Sequence, residues 1–122
     1  MIWGFQYNQA SDDFTGMLAG KNVRDWLGAN FWGASMKDLH APDVFRDAHS
    51  FLSKVVTVPA TGRCHGRLFT TGEHAVRGER IALPLALDGI NGDAVLGASD
   101  YESPVQVGPV VLIHENIELF AI

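Results

Sequence analysis

One amphipathic stretch, residues 42–58, most constrains what this 122-residue chain can fold into. Pro42 and Asp43 suit the first turn of a helix, and Pro59 stops the helix near Val58. Between these ends apolar residues recur at intervals of three and four, namely Val44, Phe45, Ala48, Phe51, Leu52, Val55 and Val56. The spacing predicts one long helix with a single apolar face, which must lie on a flat partner.

Strand-like patterns lie on both sides of this helix. Trp3, Phe5 and Tyr7 recur at period two, and a second strand over 14–18 follows a polar turn, which predicts a hairpin. After the helix, further strand-rich segments cover 63–70, 73–87, 94–98 and 105–113. Pro84 indicates an edge position or a bulge. The apolar tail, 117–122, is expected either to complete a sheet edge or to meet a second subunit.

The order of these segments decides the fold class. Strands come first, helices follow (short ones over 23–27 and 36–39 before the long one), and strands return. A parallel α/β sheet needs strands and helices that alternate, so this order favours an antiparallel sheet. We predict an α+β fold, in which short helices and one longer helix cover one face of a five-stranded antiparallel sheet. The length predicts a single domain over 1–122.

Composition excludes several functional classes. Nine Lys plus Arg against fourteen Asp plus Glu give a net charge of −5, and no basic stripe suited to nucleic acid is present. No apolar run of membrane-spanning length and no signal peptide is found, so we expect a cytoplasmic protein without a membrane partner. Cys64 is the single cysteine, which excludes an internal disulfide.

Residues 27–43 carry a resemblance to a known family. Leu27-Gly28 is followed by Gly33-Ala34-Ser35-Met36-Lys37-Asp38-Leu39 and then by Pro42-Asp43. This order resembles PAS domains, where a glycine ends one turn, a G-x-S-x-x-D-L segment follows, and a proline–acid pair opens a long helix. Residues 80–97, with Asp88-Gly89 at the turn, are similar to the last hairpin of a divergent PAS subfamily abundant in proteobacteria.

The resemblance spans about residues 3–101, and the chain beyond Ser103 has no clear counterpart in it. It implies a PAS-like five-stranded sheet and a non-catalytic sensory or protein-interaction module. A small ligand between helices and sheet would favour one packing of the two layers, and the change would pass to a second subunit or a signalling partner. We therefore expect a homodimer, formed through the amphipathic N-terminal strand or the apolar tail, 117–122. The candidate pocket residues are Trp32, Phe45, His49, Leu52, Val56 and Leu83.

Two features bear on the identity of a ligand. In oxygen-sensing haem PAS domains the axial histidine lies on the long helix, so the resemblance makes His49 a candidate haem ligand. The alternative is a structural histidine bonded to a backbone carbonyl or to water. Flavin is not expected, because no asparagine-cysteine-arginine context occurs in the helical segment. Arg67, Arg77 and Arg80 could pair with an anionic ligand if any of them points inward.

Two other interpretations stay open. One is a small α+β-cone enzyme of isomerase or dehydratase type, in which a pocket acid such as Asp38 works with His40 or His49. The other is a ligand-free scaffold, in which side chains fill the space between helices and sheet. The chain has no G-x-S-x-G elbow and no phosphate-binding glycine loop, so those chemistries have no motif here.

Overall fold

The computed structural model of the chain describes residues 1–20, 31–71, 74–86, 89, 92–102, 110–112 and 115–122. The elements are β1 (Ile2–Asn8), β2 (Asp13–Ala19), α1 (Met36–Leu39), α2 (Pro42–Thr57), β3 (Ala60–Thr71), β4 (His74–Leu85), β5 (Ala94–Tyr101), β6 (Val110–Leu112) and β7 (Asn116–Ala121). The expected short helix over 23–27 lies outside the described residues.

All strand pairs are antiparallel, and the strand order is β2-β1-β5-β4-β3-β6, with β7 also paired to β3. The sheet therefore has seven strands. The prediction of a PAS-like five-stranded sheet was wrong in this respect, whereas the α+β class agrees with the structure. The two additional strands, β6 and β7, come from the C-terminal stretch whose pairing the sequence left open.

The long strand β3 explains the higher strand number. β6 pairs with Phe69–Thr71, and β7 pairs with Ala60–His65 on the same edge of β3. Between these two segments Gly66 has φ +88°, a conformation that favours glycine. The next backbone N–H, of Arg67, donates to the Glu115 carboxylate at 2.6 Å. The Glu115 side chain thus accepts the hydrogen bond of a β3 backbone N–H at the point where β3 changes from one partner strand to the other.

The long helix lies across one face of the sheet, as its pattern predicts. α2 begins at Pro42 and ends at Thr57, and it buries Val44, Phe51, Leu52, Val55 and Val56. The contact is close at β3, where a Cβ at Gly62 would lie 2.6 Å from the ring of Phe51 and 2.8 Å from the Val55 side chain. The absence of a side chain at Gly62 therefore lets the helix approach the strand.

The β1–β2 hairpin forms as predicted, with Trp3 and Phe5 buried on the helix-facing side. Pro84 pairs with Val95 of β5, whereas the pairing of β4 with β3 ends at Ala82. The proline thus occupies an edge-like position, where its missing N–H breaks no ladder to β3. No helix among the described residues is long and apolar enough to cross a membrane.

Candidate functional site

The structure separates the predicted pocket residues. Leu52 and Val56 are buried in the core, and Phe45 packs against it. Trp32 is 60% exposed. Leu83 is 42% exposed, because Ala82 faces the helices and the next residue of the strand must face away. Leu83 therefore lies on the outer face of the sheet, opposite the helices.

His49 contacts the turn between β1 and β2. Its Nε2 lies 2.8 Å from the carbonyl oxygen of Asp12, and its Nδ1 lies 3.4 Å from the Ser53 hydroxyl. The ring also packs against Phe14 and Phe45, with centroid distances of 5.6 Å and 5.3 Å. Both ring nitrogens have protein partners, so His49 ties helix α2 to the hairpin. These residues do not fit a haem, whose iron needs an imidazole nitrogen free to bind it.

Arg80 lies on the helix-facing side of β4. In the sheet register it stands between Cys64 of β3 and Ser99 of β5, which are both buried. Residues in register share a face of the sheet, so the partly buried Arg80 side chain projects toward the helices. Its Nε donates to the Ser99 hydroxyl and its Nη2 to the Tyr101 hydroxyl, each at 3.4 Å. Both hydrogen bonds are long and go to neutral oxygens.

The surroundings of Arg80 are neutral and partly aromatic. The Trp3 indole N–H donates to the same Ser99 hydroxyl at 2.9 Å, and the Tyr101 ring packs edge-on against Phe69. His40 interacts electrostatically with Arg80, and its Nδ1 lies 2.9 Å from the carbonyl oxygen of Met36. We use the name Arg80 cluster for the following residues: Trp3, His40, Cys64, Arg80, Ser99 and Tyr101.

Arg80 is the charged member of this cluster near neutral pH. Burial lowers the pKa of His40 below its ordinary value of 6.5. The hydrogen bond to the Met36 carbonyl raises this pKa, and the positive charge of Arg80 lowers it further. Burial also raises the pKa of the Cys64 thiol, although Arg80 opposes that shift. Both groups are therefore neutral at pH 7. Within the described ranges, no carboxylate lies at ion-pair distance from the Arg80 guanidinium.

The carboxylates nearest to Arg80 in sequence and register belong to the other face. Glu79 precedes Arg80 and pairs with Arg63 at 2.7 Å. The same arginine contacts Glu118 of β7 at 3.0 Å, and Asp100 is exposed opposite Glu79 in the register. Alternation along each strand keeps these acids on the outer face, away from Arg80.

The outer face also carries large apolar side chains between 38% and 53% exposed, namely Ile2, Leu18, Ile81, Leu83, Leu85 and Phe120. We call these six residues the outer apolar patch. The register brings them together, because Ile2 and Ile81 both pair with Ala98, and Leu83 pairs with Leu96, which pairs in turn with Gly4 beside Leu18.

The residues of the enzyme interpretation do not meet. Asp38 is exposed, and the described residues include no hydrogen bond or ion pair that joins it to His40 or His49. The described residues also contain no group of three or more His, Cys, Asp or Glu side chains placed to hold a metal ion.

The sequence alone leaves open whether Arg80, like Arg67 and Arg77, points toward the helices or away from them. The signal that separates them is the alternation of β4, in which Val76, Gly78 and Ala82 share the parity of Arg80. Arg67 and Arg77 have mostly exposed side chains beside Glu115.

A scan against protein-family models found no match, and searches of curated proteins and of solved structures found none.

Proposed function

We propose that this chain is a non-catalytic sensory and interaction module, which pairs with a second copy through the outer apolar patch and binds a small ligand between helices and sheet. The patch is the observation that carries the proposal. The PAS resemblance of the sequence stays a prediction.

Exposed apolar residues matter when they are contiguous. Single exposed leucines are ordinary on protein surfaces, whereas a contiguous apolar patch typically marks an interaction site. Here six large side chains share one face of the sheet, and the helices lie on the opposite face. Covering the patch would remove apolar surface from water, which is the main favourable term in association.

The proposed occupant of this surface is a second copy of the chain. Two sheets pack face to face about 10 Å apart with interdigitating side chains, and a two-fold axis would bring the same patch from each copy together. Such a dimer would be a two-layer sheet sandwich with the helices outside. Arg63 beside the patch already pairs with Glu79 and Glu118, so its guanidinium needs no partner from a second copy.

The ligand-binding part of the proposal is supported by β4. This strand carries Arg80 toward the helices, while Ile81 and Leu83 belong to the outer patch. A ligand that changes how β4 packs under the helices therefore acts on the strand that carries the association surface. The result would be a shift between populations of the module, without chemistry on the ligand.

The test is sedimentation velocity over a range of protein concentrations. The wild-type chain should sediment as a dimer at high concentration, and Leu83→Glu should sediment as a monomer, because the substitution places a charge in the patch. Ile117→Glu is the matched control, since Ile117 is similarly exposed at 45% but pairs with Cys64 on the helix-facing side. Circular dichroism should show both variants folded. A wild-type chain that stays monomeric at every concentration contradicts the proposal.

A further inference from the structure

We propose that the Arg80 cluster binds a small organic monocarboxylate, whose carboxylate group pairs with the Arg80 guanidinium. This inference rests on the ligand-binding part of the proposed function and names the chemical class of the ligand.

The Arg80 guanidinium is partly buried and has no carboxylate partner among the described residues. It is partly buried, it lies on the helix-facing side of the sheet, and its bonds to Ser99 and Tyr101 are 3.4 Å long. Charges taken out of water are normally paired, and no described carboxylate pairs with this one. A guanidinium presents parallel N–H donors that match the two oxygens of a carboxylate. The weak hydroxyl contacts leave this donor capacity available to a ligand.

The net positive charge of the Arg80 cluster favours a ligand that carries a single negative charge. His40 and Cys64 are neutral at pH 7 and the hydroxyls of Ser99 and Tyr101 carry no charge, so Arg80 contributes one positive charge. A single carboxylate balances this charge. A dianion such as the second ionisation state of phosphate would keep one negative charge uncompensated beside a partly apolar surface.

The neighbouring side chains favour an organic ligand over a simple anion. The Tyr101 hydroxyl accepts from Arg80, and its partly buried side chain packs edge-on against Phe69. Aromatic surface of this kind contributes affinity for an apolar or aromatic body. The incompletely buried Arg80 gives such a ligand access from solvent.

The experiment is a titration of ¹⁵N-labelled wild-type protein with benzoate, followed by two-dimensional NMR. The Trp3 indole N–H is the reporter, because it donates to the hydroxyl that also accepts from Arg80. Benzoate should shift this resonance to saturation. Binding should become roughly 10- to 100-fold weaker in Arg80→Met and in Arg80→Gln, as expected for loss of a charged hydrogen-bond donor.

Arg77→Met is the matched control. Arg77 lies three residues before Arg80 on the same strand, but it faces outward, 3.8 Å from Glu115. Benzoate affinity should stay within about twofold of wild type in this variant, since Arg77 faces away from the Arg80 cluster. Inorganic phosphate in place of benzoate, tested at a pH where the phosphate dianion predominates, should give no saturable shift.

Thermal unfolding without ligand gives an independent readout. If the Arg80 guanidinium is paired only by a ligand, Arg80→Met should unfold at a temperature equal to or above that of wild type, since the substitution removes a partly buried charge that no described carboxylate pairs. A clear drop in the unfolding temperature, together with no benzoate shift in wild type, would mean that the chain itself pairs Arg80, and would overturn the inference.

Three further results would also overturn it, namely benzoate binding unaffected by both Arg80 variants, phosphate binding as tight as benzoate binding, and a folded wild type that gives no saturable shift. Sedimentation of the same samples separates this inference from the proposed association. A wild type that dimerises without binding benzoate contradicts only the carboxylate site. A monomeric wild type that binds benzoate contradicts only the dimer.

Discussion

At the scale of single residues, His49 and Arg80 show why side-chain roles were hard to predict. The helical spacing placed His49 correctly on the flank of the apolar stripe, but its partner, the Asp12 carbonyl, lies 37 residues away in sequence. No local pattern contains that contact. The role of Arg80 depends instead on which face of β4 turns toward the helices. Packing across the whole sheet determines that orientation.

His40 gives a pH dependence whose sign follows from its burial. Because the folded chain holds the pKa of His40 below 6.5, the unfolded chain binds a proton where the folded chain does not. The free energy of unfolding should therefore fall as pH decreases from about 6.5 toward the lowered folded pKa, and this loss should level off below it. Urea unfolding between about pH 7.5 and about pH 5 measures the slope.

The control for this effect is a comparison of two histidine substitutions. His40→Asn removes the titrating group and should flatten the slope relative to wild type. His74→Asn should keep it, since His74 is exposed at the start of β4. Equal slopes in wild type and His40→Asn would show that His40 does not contribute to the acid sensitivity of the fold.

At the scale of elements, Gly62 sets the distance between α2 and β3. An added Cβ would press on Phe51 and Val55, so Gly62→Ala should lower the free energy of unfolding by about 1–3 kcal/mol, a typical cost of overpacking. Urea unfolding monitored by circular dichroism measures the change. Thr61→Ala, on the outer-facing neighbour, should cost less than about 1 kcal/mol. A neutral Gly62→Ala would mean that the helix can move away from the strand without loss.

Elements with a strong local signal were predictable. For the C-terminal part, the sequence predicted a strand-rich segment over 105–113 and left the apolar tail open between a sheet edge and a second subunit, but it did not predict that both would pair with β3. The prolines and the apolar stripe fixed α2 to within one residue of its C-terminal end, and the period-two aromatics located β1. By contrast, β6 and β7 are short, and each is a strand only because part of the long edge of β3 is free to pair with it. Such pairing depends on contacts about 40 to 60 residues apart, which periodicity does not report.

At the scale of the whole molecule, β4 turns its more apolar face away from the helices. Ile81, Leu83 and Leu85 form the more apolar face of β4, and Leu83 was one of the predicted pocket residues. The structure turns this face outward, because the helix-facing side is filled by large residues from other elements. Gly62 meets Phe51 there, and Gly97 meets the Trp3 ring. Small residues and Arg80 therefore face inward, while the large aliphatic residues stay available for association.

Because β4 presents Arg80 to one face and Ile81 and Leu83 to the other, the two proposed binding events should be coupled. Coupling between sites is reciprocal, and factors of about 5 to 150 are typical. The dimer dissociation constant, measured by sedimentation with and without saturating benzoate, should change by a factor in this range. The benzoate dissociation constant should differ by the same factor between the wild-type dimer and the monomeric Leu83→Glu variant. In Arg80→Met, benzoate should leave the dimer constant unchanged. If benzoate binds wild type but leaves the dimer dissociation constant unchanged, the two faces of the sheet bind independently. The ligand would then stabilise the fold without transmitting a signal through it.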